Sequence, residues 1–312
     1  MTTFFSVVVS IYNKQDYILN TLTSVFKQTF QDFEIIAVND GSTDNSLSLL
    51  ESISDNRLRL INQKNQGASA ARNIGMDYAK GEFIALLDGD DIWKSTFLEE
   101  IKAAIDDHKD YDIFTSAIAY KFHDNIKQVT YNFTSEKDVL VLDYFKNSKK
   151  HTILTGSSTV FRKSILKKTG YFCPEIKSGQ DTDLWIRFGI KYKVVFINKV
   201  LVYYLYNSNS LSNTTTDLSL KSKFNQYRQE EKENPDLRYF LDRNRFSLAL
   251  LSKLNNNLEA LKFFKNEITN ENFTLKKRFL LRLPNAVLKL LLKVKQNNTK
   301  KYYPVLADKN SG

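Results

Sequence analysis

Three aspartates in four residues, Asp88, Asp90 and Asp91, follow the apolar run EFIALLD. Carboxylates this close repel one another, and a cation would relieve the repulsion. An all-oxygen donor set selects Mg²⁺ or Mn²⁺. Mg²⁺-type sites use one or two carboxylates together with phosphate oxygens, so the cluster reads as half of a site completed by a diphosphate. The same residues fit a solvated turn equally well, with Asp91 capping the helix that follows Trp93. Asp40 carries two readings as well. In Asp40-Gly41-Ser42-Thr43-Asp44 it can accept hydrogen bonds from a nucleobase or ribose, or the turn can simply cap a helix over 43–53 through Ser42 or Thr43. Arg72 lies among alanines and glycines in NQGASAARNIGMDYA, where close packing points to a directed contact rather than a surface charge.

Other chemistries are poorly supplied. The three histidines, His108, His123 and His151, lack metal-ligand spacing and read as surface or loop residues, with His151 alone worth mutating. The one cysteine, Cys173, can form neither an internal disulfide nor a cysteine-built zinc site. It reads as packing in the turn Phe172-Cys173-Pro174, and a reducing compartment fits best.

Strands and helices must alternate to bring these residues together. Apolar runs at 4–11, 33–39, 57–62 and 82–88 read as strands, and 16–28, 43–53 and 67–79 read as helices. Apolar strands alternating with helices predict a mostly parallel α/β sheet covered on both faces. In such sheets ligands bind at the carboxyl ends of strands, near the switch in strand order. Tyr12-Asn13-Lys14, Asp40 to Asp44 and Asp88 to Asp91 all fall at strand ends. Nine of the ten glycines lie between Gly41 and Gly189, so turn-rich, site-bearing structure is expected before about residue 190 and plainer helices after about 214.

SVVVSIYN, VNDGSTD and NQGASAARNIGMDYAKGEFIALLDGDD, in that order over residues 5–91, resemble the family 2 glycosyltransferases of GT-A fold. GSSTVFRKSILKKTGYFCPEIKSGQDTDLWIRF (156–188) looks like the acceptor-side block of that family, with Asp181 ahead of Leu184-Trp185-Ile186-Arg187. The resemblance covers roughly residues 4–212. It implies a GT-A domain over 1–213, with a nucleotide-binding half to about 110 and an acceptor half over 111–213; the helical region expected over 214–312 lies beyond it and rests on the residues alone. By position, it implies that Asp40 and Arg72 hold the nucleotide base with Tyr12 packed against it. Asp88 would contact the ribose or metal, Asp90 would be the main carboxylate for Mn²⁺ or Mg²⁺, and Asp181 would be the general base of an inverting transfer. Two departures stand out. Gln180 replaces the acidic residue that often precedes the base, and Leu205 stands where many relatives carry an arginine. The tryptophans, Trp93 and Trp185, cannot form the Gln-Arg-Trp motif of processive synthases, which favours transfer of a single sugar.

The net charge of +10 is local. Residues 272–301 carry nine basic side chains and no acidic one, leaving the rest of the chain close to neutral. Nucleic acid is therefore not the expected partner; an anionic surface is. Within 274–301, Val287, Leu288, Leu291 and Leu292 follow helical spacing with Lys289 and Lys293 on another side, and Pro284 opens the second helix. This basic amphipathic tail suits an anionic membrane, or else packs on the domain or a second subunit. No stretch reaches the ~18 apolar residues that span a bilayer, and the N-terminus reads as a strand rather than a signal peptide.

The expected activity is transfer of one sugar from a nucleotide-diphosphate donor, UDP-linked by preference, to a glycan or lipid-linked acceptor. The setting is bacterial surface polysaccharide (capsule or lipopolysaccharide) assembly, in the cytoplasm or peripherally at the inner face of the membrane, with a homo-oligomer left open. A nucleotidyltransferase on a related α/β fold and a non-catalytic membrane or nucleic-acid scaffold are the competing readings.

Overall fold

The strand β1 (Phe5–Ile11) is buried along nearly its whole length, as a largely apolar strand inside a parallel sheet is. After α1 (Ile18–Phe26) the chain returns through β2 (Phe33–Asp40), α2 (Ser46–Glu51), β3 (Leu58–Gln63), α3 (Ala68–Tyr78) and β4 (Phe83–Asp88). The computed structural model describes residues 3–122, 125–205, 218, 221–291 and 294. These first four strands are parallel: β2 pairs with β1 and β3, and β4 pairs with the other edge of β1. The strand order is thus β3-β2-β1-β4, and the direction of travel reverses between β1 and β4. Their carboxyl ends share one edge, with Ile11 opposite Asn39 and Ser10 opposite Asp88. That edge is where crevice and ligand are expected.

Helix α1 buries Ile18, Leu22 and Val25 at helical spacing. Each such side chain contributes about 1.5–3 kcal/mol relative to exposure. Helix α3 lies closer to the sheet, because a Cβ on Gly75 would come within 2.4 Å of the Val8 side chain. The fold needs glycine there, and that approach sets the height of Arg72 one turn earlier.

The second half of the sheet is mixed. It adds β5 (Ile92–Trp93), α4 (Phe97–Asp107), β6 (Ile113–Phe122), β7 (Asn125–Gln128), β8 (Val139–Leu142), α5 (Tyr144–Asn147), β9 (Val160–Arg162), α6 (Leu166–Thr169), α7 (Gln180–Lys191) and β10 (Val194–Leu205). Strand β9 runs antiparallel between β4 and β6 and joins the two halves into one sheet. The long β10 is parallel to β6 and antiparallel to β5 and β8.

The chain divides into two compact units, Met1–Asn207 and Ser208–Gly312. The second is helical: α8 (Glu230–Glu233), α9 (Pro235–Leu254), α10 (Leu258–Glu267) and α11 (Leu275–Arg282), followed by helix at 285–291. Asn234, Asn257 and Thr274 cap α9, α10 and α11 by accepting from the backbone N–H three residues on. The α9–α10 turn falls at Asn255 and Asn256, with Asn256 at a φ of 57°.

Several local expectations give way. Helix α2 starts at Ser46 after Asn45, so neither Ser42 nor Thr43 caps it. Asp91 caps nothing, because α4 begins only at Phe97. In the tail, Leu288 is buried rather than part of an open face, while Leu292, Lys293, Lys295, Lys300 and Lys301 lie outside the described residues, as do His123 and Tyr206.

Candidate active site

Two adjacent loops form one wall of the crevice. Asn13, with φ of 52°, accepts the Thr43 N–H at 2.8 Å, and its own N–H donates to Ser42 Oγ at 3.0 Å. The Lys14 N–H donates to Ser46 Oγ at 2.7 Å. Ser42 and Thr43 therefore stitch the end of β1 to the loop after β2, leaving the Tyr12 ring exposed at 46 %. An open phenol ring at this edge can stack on a planar base.

Asp40, 2 % exposed, is committed to the protein. It accepts from Gln63 Nε2 at 2.7 Å and from the backbone N–H groups of Gln66 and Gly67 at 2.8 Å each. Those bonds fix the turn into α3 and so aim Arg72. Arg72 is 5 % exposed, with its guanidinium 5.2 Å from the Phe172 ring centroid. One arm donates to Asp181 Oδ1 at 2.7 Å and the other pairs with Asp88 Oδ1.

Residues from three regions thus meet on one side chain. Asp88 ends β4, and Asp181 sits in the first turn of α7, after Gly179. Helix α3 is tied to the segment before α7 by a reciprocal pair: Asn73 Nδ2 donates to the Phe172 carbonyl at 2.9 Å and Asn73 Oδ1 accepts from its N–H at 3.0 Å. Helix α7 is held in turn by Arg187, which bonds Asp183 and the Tyr171 carbonyl, each at 2.8 Å. Asp183 and Arg187 of the Asp181 block are structural; Asp181 is the member that faces the crevice. Gln180 is 7 % exposed at the start of the helix.

Glycine at position 156 completes the floor. A Cβ there would fall 2.8 Å from Asp88 Oδ2 and 3.4 Å from both Arg72 Nη2 and Asp181 Oδ2. The second oxygens of both carboxylates therefore open toward the same space. Neither takes a hydrogen bond from another described residue.

Beneath the floor, Ser157 is a hub. Its Oγ accepts from the Asp88 N–H at 3.1 Å and donates to Asp91 Oδ2, and its carbonyl accepts from Trp93 Nε1 at 2.7 Å. Its N–H donates to the Tyr204 hydroxyl at 3.0 Å. Asp91 Oδ1 accepts from the Leu205 N–H at 3.2 Å, so Leu205 serves this region through its backbone. Burial, reinforced by Asp90 and Asp88, pushes the Asp91 carboxyl well above the usual range. Burial beside Asp91 and Asp88 likewise raises the Tyr204 phenol. Asp91 is a buried support beneath the carboxylate floor. The functions of Gly156, Ser157 and Tyr204 escape sequence reasoning. The polar run GSST inside the acceptor-side block was the only available signal.

Charge is balanced around the mouth. Asp90 pairs with Lys14, as Asp88 does with Arg72, so each carboxylate expected to hold metal carries a cationic side chain. The donor set fits a hard divalent ion in chemistry: oxygen only, and already attracting positive charge. It fits only partly in number. Among the described residues no cluster of three or more His, Cys, Asp or Glu side chains is arranged to hold a metal. Further oxygens must come from a ligand such as a diphosphate. Burial raises the Asp181 carboxyl above the ordinary value; Arg72 opposes the shift and Asp88 adds to it. Burial works against the Arg72 charge, but Asp181 and Asp88 outweigh it and the guanidinium holds its proton more firmly.

His151 lies between Tyr120 and Tyr131, with Nδ1 2.9 Å from the Thr152 carbonyl. Cys173 is half-buried, its thiol 2.9 Å from Glu175. Neither adjoins the carboxylates through any bond described above.

Comparison with known proteins fits this architecture. The model of the family Glycosyl transferase family 2 matches residues 6–170. Glycosyltransferase GlyG of Streptococcus pneumoniae serotype 4 is 33 % identical over 232 residues, covering 70 % of this chain and 76 % of that protein. An uncharacterized glycosyltransferase of Rickettsia felis is 32 % identical over 201 residues; the match covers 63 % of this chain but 32 % of that protein, so this chain spans about a third of that longer relative. The crystal structure of S. aureus TarS 1-349 in complex with UDP-GlcNAc superposes with a TM-score of 0.68 at 23 % identity, covering 89 % of this chain and 86 % of that one. At that identity the likeness establishes the shared fold.

Proposed function

This chain belongs to glycosyl transferase family 2 and is a glycosyltransferase, and on that premise we propose that it moves one sugar from a UDP-sugar to a hydroxyl of a glycan or lipid-linked acceptor, with inversion at the anomeric carbon. The observation that carries this reading is Arg72, which holds the donor-side carboxylate Asp88 and the acceptor-side carboxylate Asp181 on the two arms of one guanidinium. The donor class is suggested by the UDP-GlcNAc held by TarS. In this reading Tyr12 stacks on the base, and Asp40 and Arg72 shape the nucleotide pocket from below.

Asp181 acts as general base. Its open Oδ2 takes the proton of the acceptor hydroxyl as that oxygen bonds to the anomeric carbon, and the bond from that carbon to the diphosphate breaks. The proton ends on Asp181 and the electron pair on the departing diphosphate. A single displacement inverts the centre and needs no covalent intermediate. A carboxyl raised by its surroundings is a stronger base than a solvated one, and Arg72 keeps it aimed. Asp88 and Asp90 would hold Mn²⁺ or Mg²⁺, which supplies neutralising charge to the leaving diphosphate. Gly156 keeps the space between the carboxylates free of protein atoms.

The biological setting we propose is bacterial surface polysaccharide assembly at the inner face of the cell membrane, with the basic tail as the contact. Among the described residues no helix is long and apolar enough to cross a membrane.

A panel of UDP-, GDP- and dTDP-sugars scored by thermal shift tests the donor reading. UDP-sugars are expected to raise Tm further with Mn²⁺ than without, and Asp90→Ala should erase that increment. Equal shifts for all three bases would overturn the UDP assignment, and no shift with any nucleotide would overturn the site.

A further inference from the structure

The C-terminal unit contains a cavity of about 560 Å³ that shares no residue with the carboxylate site. Its floor is apolar: Ile268, Phe273 and Leu281 are each at most 8 % exposed. Its polar lining includes Lys265, Arg278 and Arg282 and no carboxylate. Arg278 is positioned by the Phe273 carbonyl at 2.8 Å and by Asn270 Oδ1 at 3.2 Å, both neutral acceptors. Lys265 and Arg282 have no ion-pair partner among the described residues. Two other arginines of this unit meet carboxylates, Arg228 with Glu267 and Arg245 with Glu231 and Asp242, while Arg238 meets main-chain carbonyls. Three uncompensated cations over an apolar floor make a site for an anion attached to an apolar body.

The surface beside the cavity has matching chemistry. Leu275 and Phe279, one turn apart on α11, are 83 % and 61 % exposed, and Arg282 follows Phe279 by three residues. Arg282 therefore lies between the cavity and this apolar row. In the next helix Val287, Leu290 and Leu291 recur at i, i+3 and i+4 and are exposed, as is Val294 beyond it. That helix is anchored from its other side by the buried Leu288 and by Asn285, whose Nδ2 donates to the Lys253 carbonyl at 2.9 Å. A fixed helix showing leucines outward next to unpaired cations matches the boundary of an anionic bilayer, where headgroups meet acyl chains.

We propose that the C-terminal unit rests on an anionic bilayer through α11 and the helix at 285–291, and that the cavity lined by Lys265, Arg278 and Arg282 seats the phosphate headgroup of one lipid. This deepens the membrane-facing part of the function proposed above and is independent of the sugar chemistry. The three cations bind the phosphate oxygens, Phe273 and Leu281 contact the glycerol end, and the outward leucines enter the interface. The cavity then fixes where the unit sits, which nonspecific attraction by a basic tail cannot do.

Co-sedimentation of the full chain with vesicles tests this. The protein is expected to bind phosphatidylglycerol vesicles and to bind pure phosphatidylcholine weakly. Lys265→Gln with Arg282→Gln should weaken binding to phosphatidylglycerol by more than the roughly thirtyfold expected for any two surface cations, and by more than Lys276→Gln with Lys289→Gln, which removes the same charge outside the cavity; equal losses overturn the cavity. Leu290→Ser with Leu291→Ser should weaken it by a tenfold or more on the same vesicles. The cavity and leucine variants should both keep the wild-type thermal shift with UDP and Mn²⁺, which shows that they fold and separates this test from that of the donor site. Full binding by the Lys265/Arg282 variant overturns the cavity, and equal binding to phosphatidylcholine overturns the anionic lipid. Displacement by inorganic phosphate beyond that by sodium chloride of equal ionic strength would make this a site for free phosphate, and likewise overturn the proposal. A concentration-dependent dimer that is lost in the leucine variant, without vesicle binding by the wild type, would assign the apolar face to a second copy instead.

Discussion

Each unit of this protein holds a buried arginine between two carboxylates, and the two triads differ in what they leave unused. In the helical unit Arg245, 1 % exposed, meets Glu231 through two arms, at 2.7 and 2.9 Å, and Asp242 at 3.1 Å. Asp242 is fully buried, and its Oδ2 also accepts from the Thr269 N–H and Oγ1 and from Asn272 Nδ2. Every oxygen is committed. In the catalytic unit Arg72 is equally enclosed, but Asp88 and Asp181 keep side chains 26 % and 33 % exposed, each with an oxygen open to the space over Gly156. A buried arginine with two acids is therefore not in itself a site. Spare acceptor capacity facing solvent is what separates the chemical triad from the structural one.

The comparison can be broken by mutation, beginning with the largest effect. Asp181→Asn keeps the shape and removes the proton acceptor, so turnover should fall by about 10²–10⁴ while UDP affinity stays within about twofold; steady-state kinetics beside calorimetry would show the split. Gly156→Ala places a methyl group against Asp88 Oδ2. The resulting displacement of the carboxylates should cost about 10² in kcat/KM, with little change in Tm. Arg245→Ala should give the opposite pattern. Removing one partner of a buried charged cluster costs about 3–5 kcal/mol of stability, measurable by urea unfolding, with donor binding per folded molecule unchanged.

Smaller effects sharpen the same contrast. A general base must be unprotonated, so kcat/KM should decline about tenfold per pH unit on the acid side. Because the Asp181 carboxyl is raised, that decline should begin above the ordinary aspartate value of 3.8. A limb at or below the ordinary value would contradict the role. Tyr12→Ala should weaken UDP by roughly threefold to tenfold, the worth of one aromatic stack, and leave stability untouched because the ring is exposed.

The catalytic unit was legible in the sequence where residues declare themselves locally. The apolar runs at 33–39 and 82–88 are strands, and their polar ends, Asp40 and Asp88, do lie on one sheet edge. Arg72 among small residues is indeed in close contact, but with Asp88 and Asp181, partners that only tertiary packing supplies. Of the two readings open for Asp91, the cap fails because the short β5 and the turn after it push α4 on to Phe97. Ser42 and Thr43 have the composition of caps yet spend their hydroxyls, and Thr43 its N–H, on the neighbouring β1 loop. Ser157 and Tyr204 carry no local signature. Their significance comes from β9 inserting antiparallel beside β4 and from β10 running alongside β6, neither of which periodicity reveals. In the tail the apolar spacing was readable but its phase was not: Leu288 turns inward, and the open stripe is Val287, Leu290, Leu291 and Val294.

The account turns on Asp181 deprotonating a nucleophile that attacks from the side opposite the departing diphosphate. Water can replace the acceptor in a slow hydrolysis, and the anomer first released from an α-linked UDP-sugar is readable by proton NMR before it equilibrates. A single displacement predicts the β-anomer, formed at a rate that collapses in Asp181→Asn. Early appearance of the α-anomer would mean two displacements and contradict the mechanism.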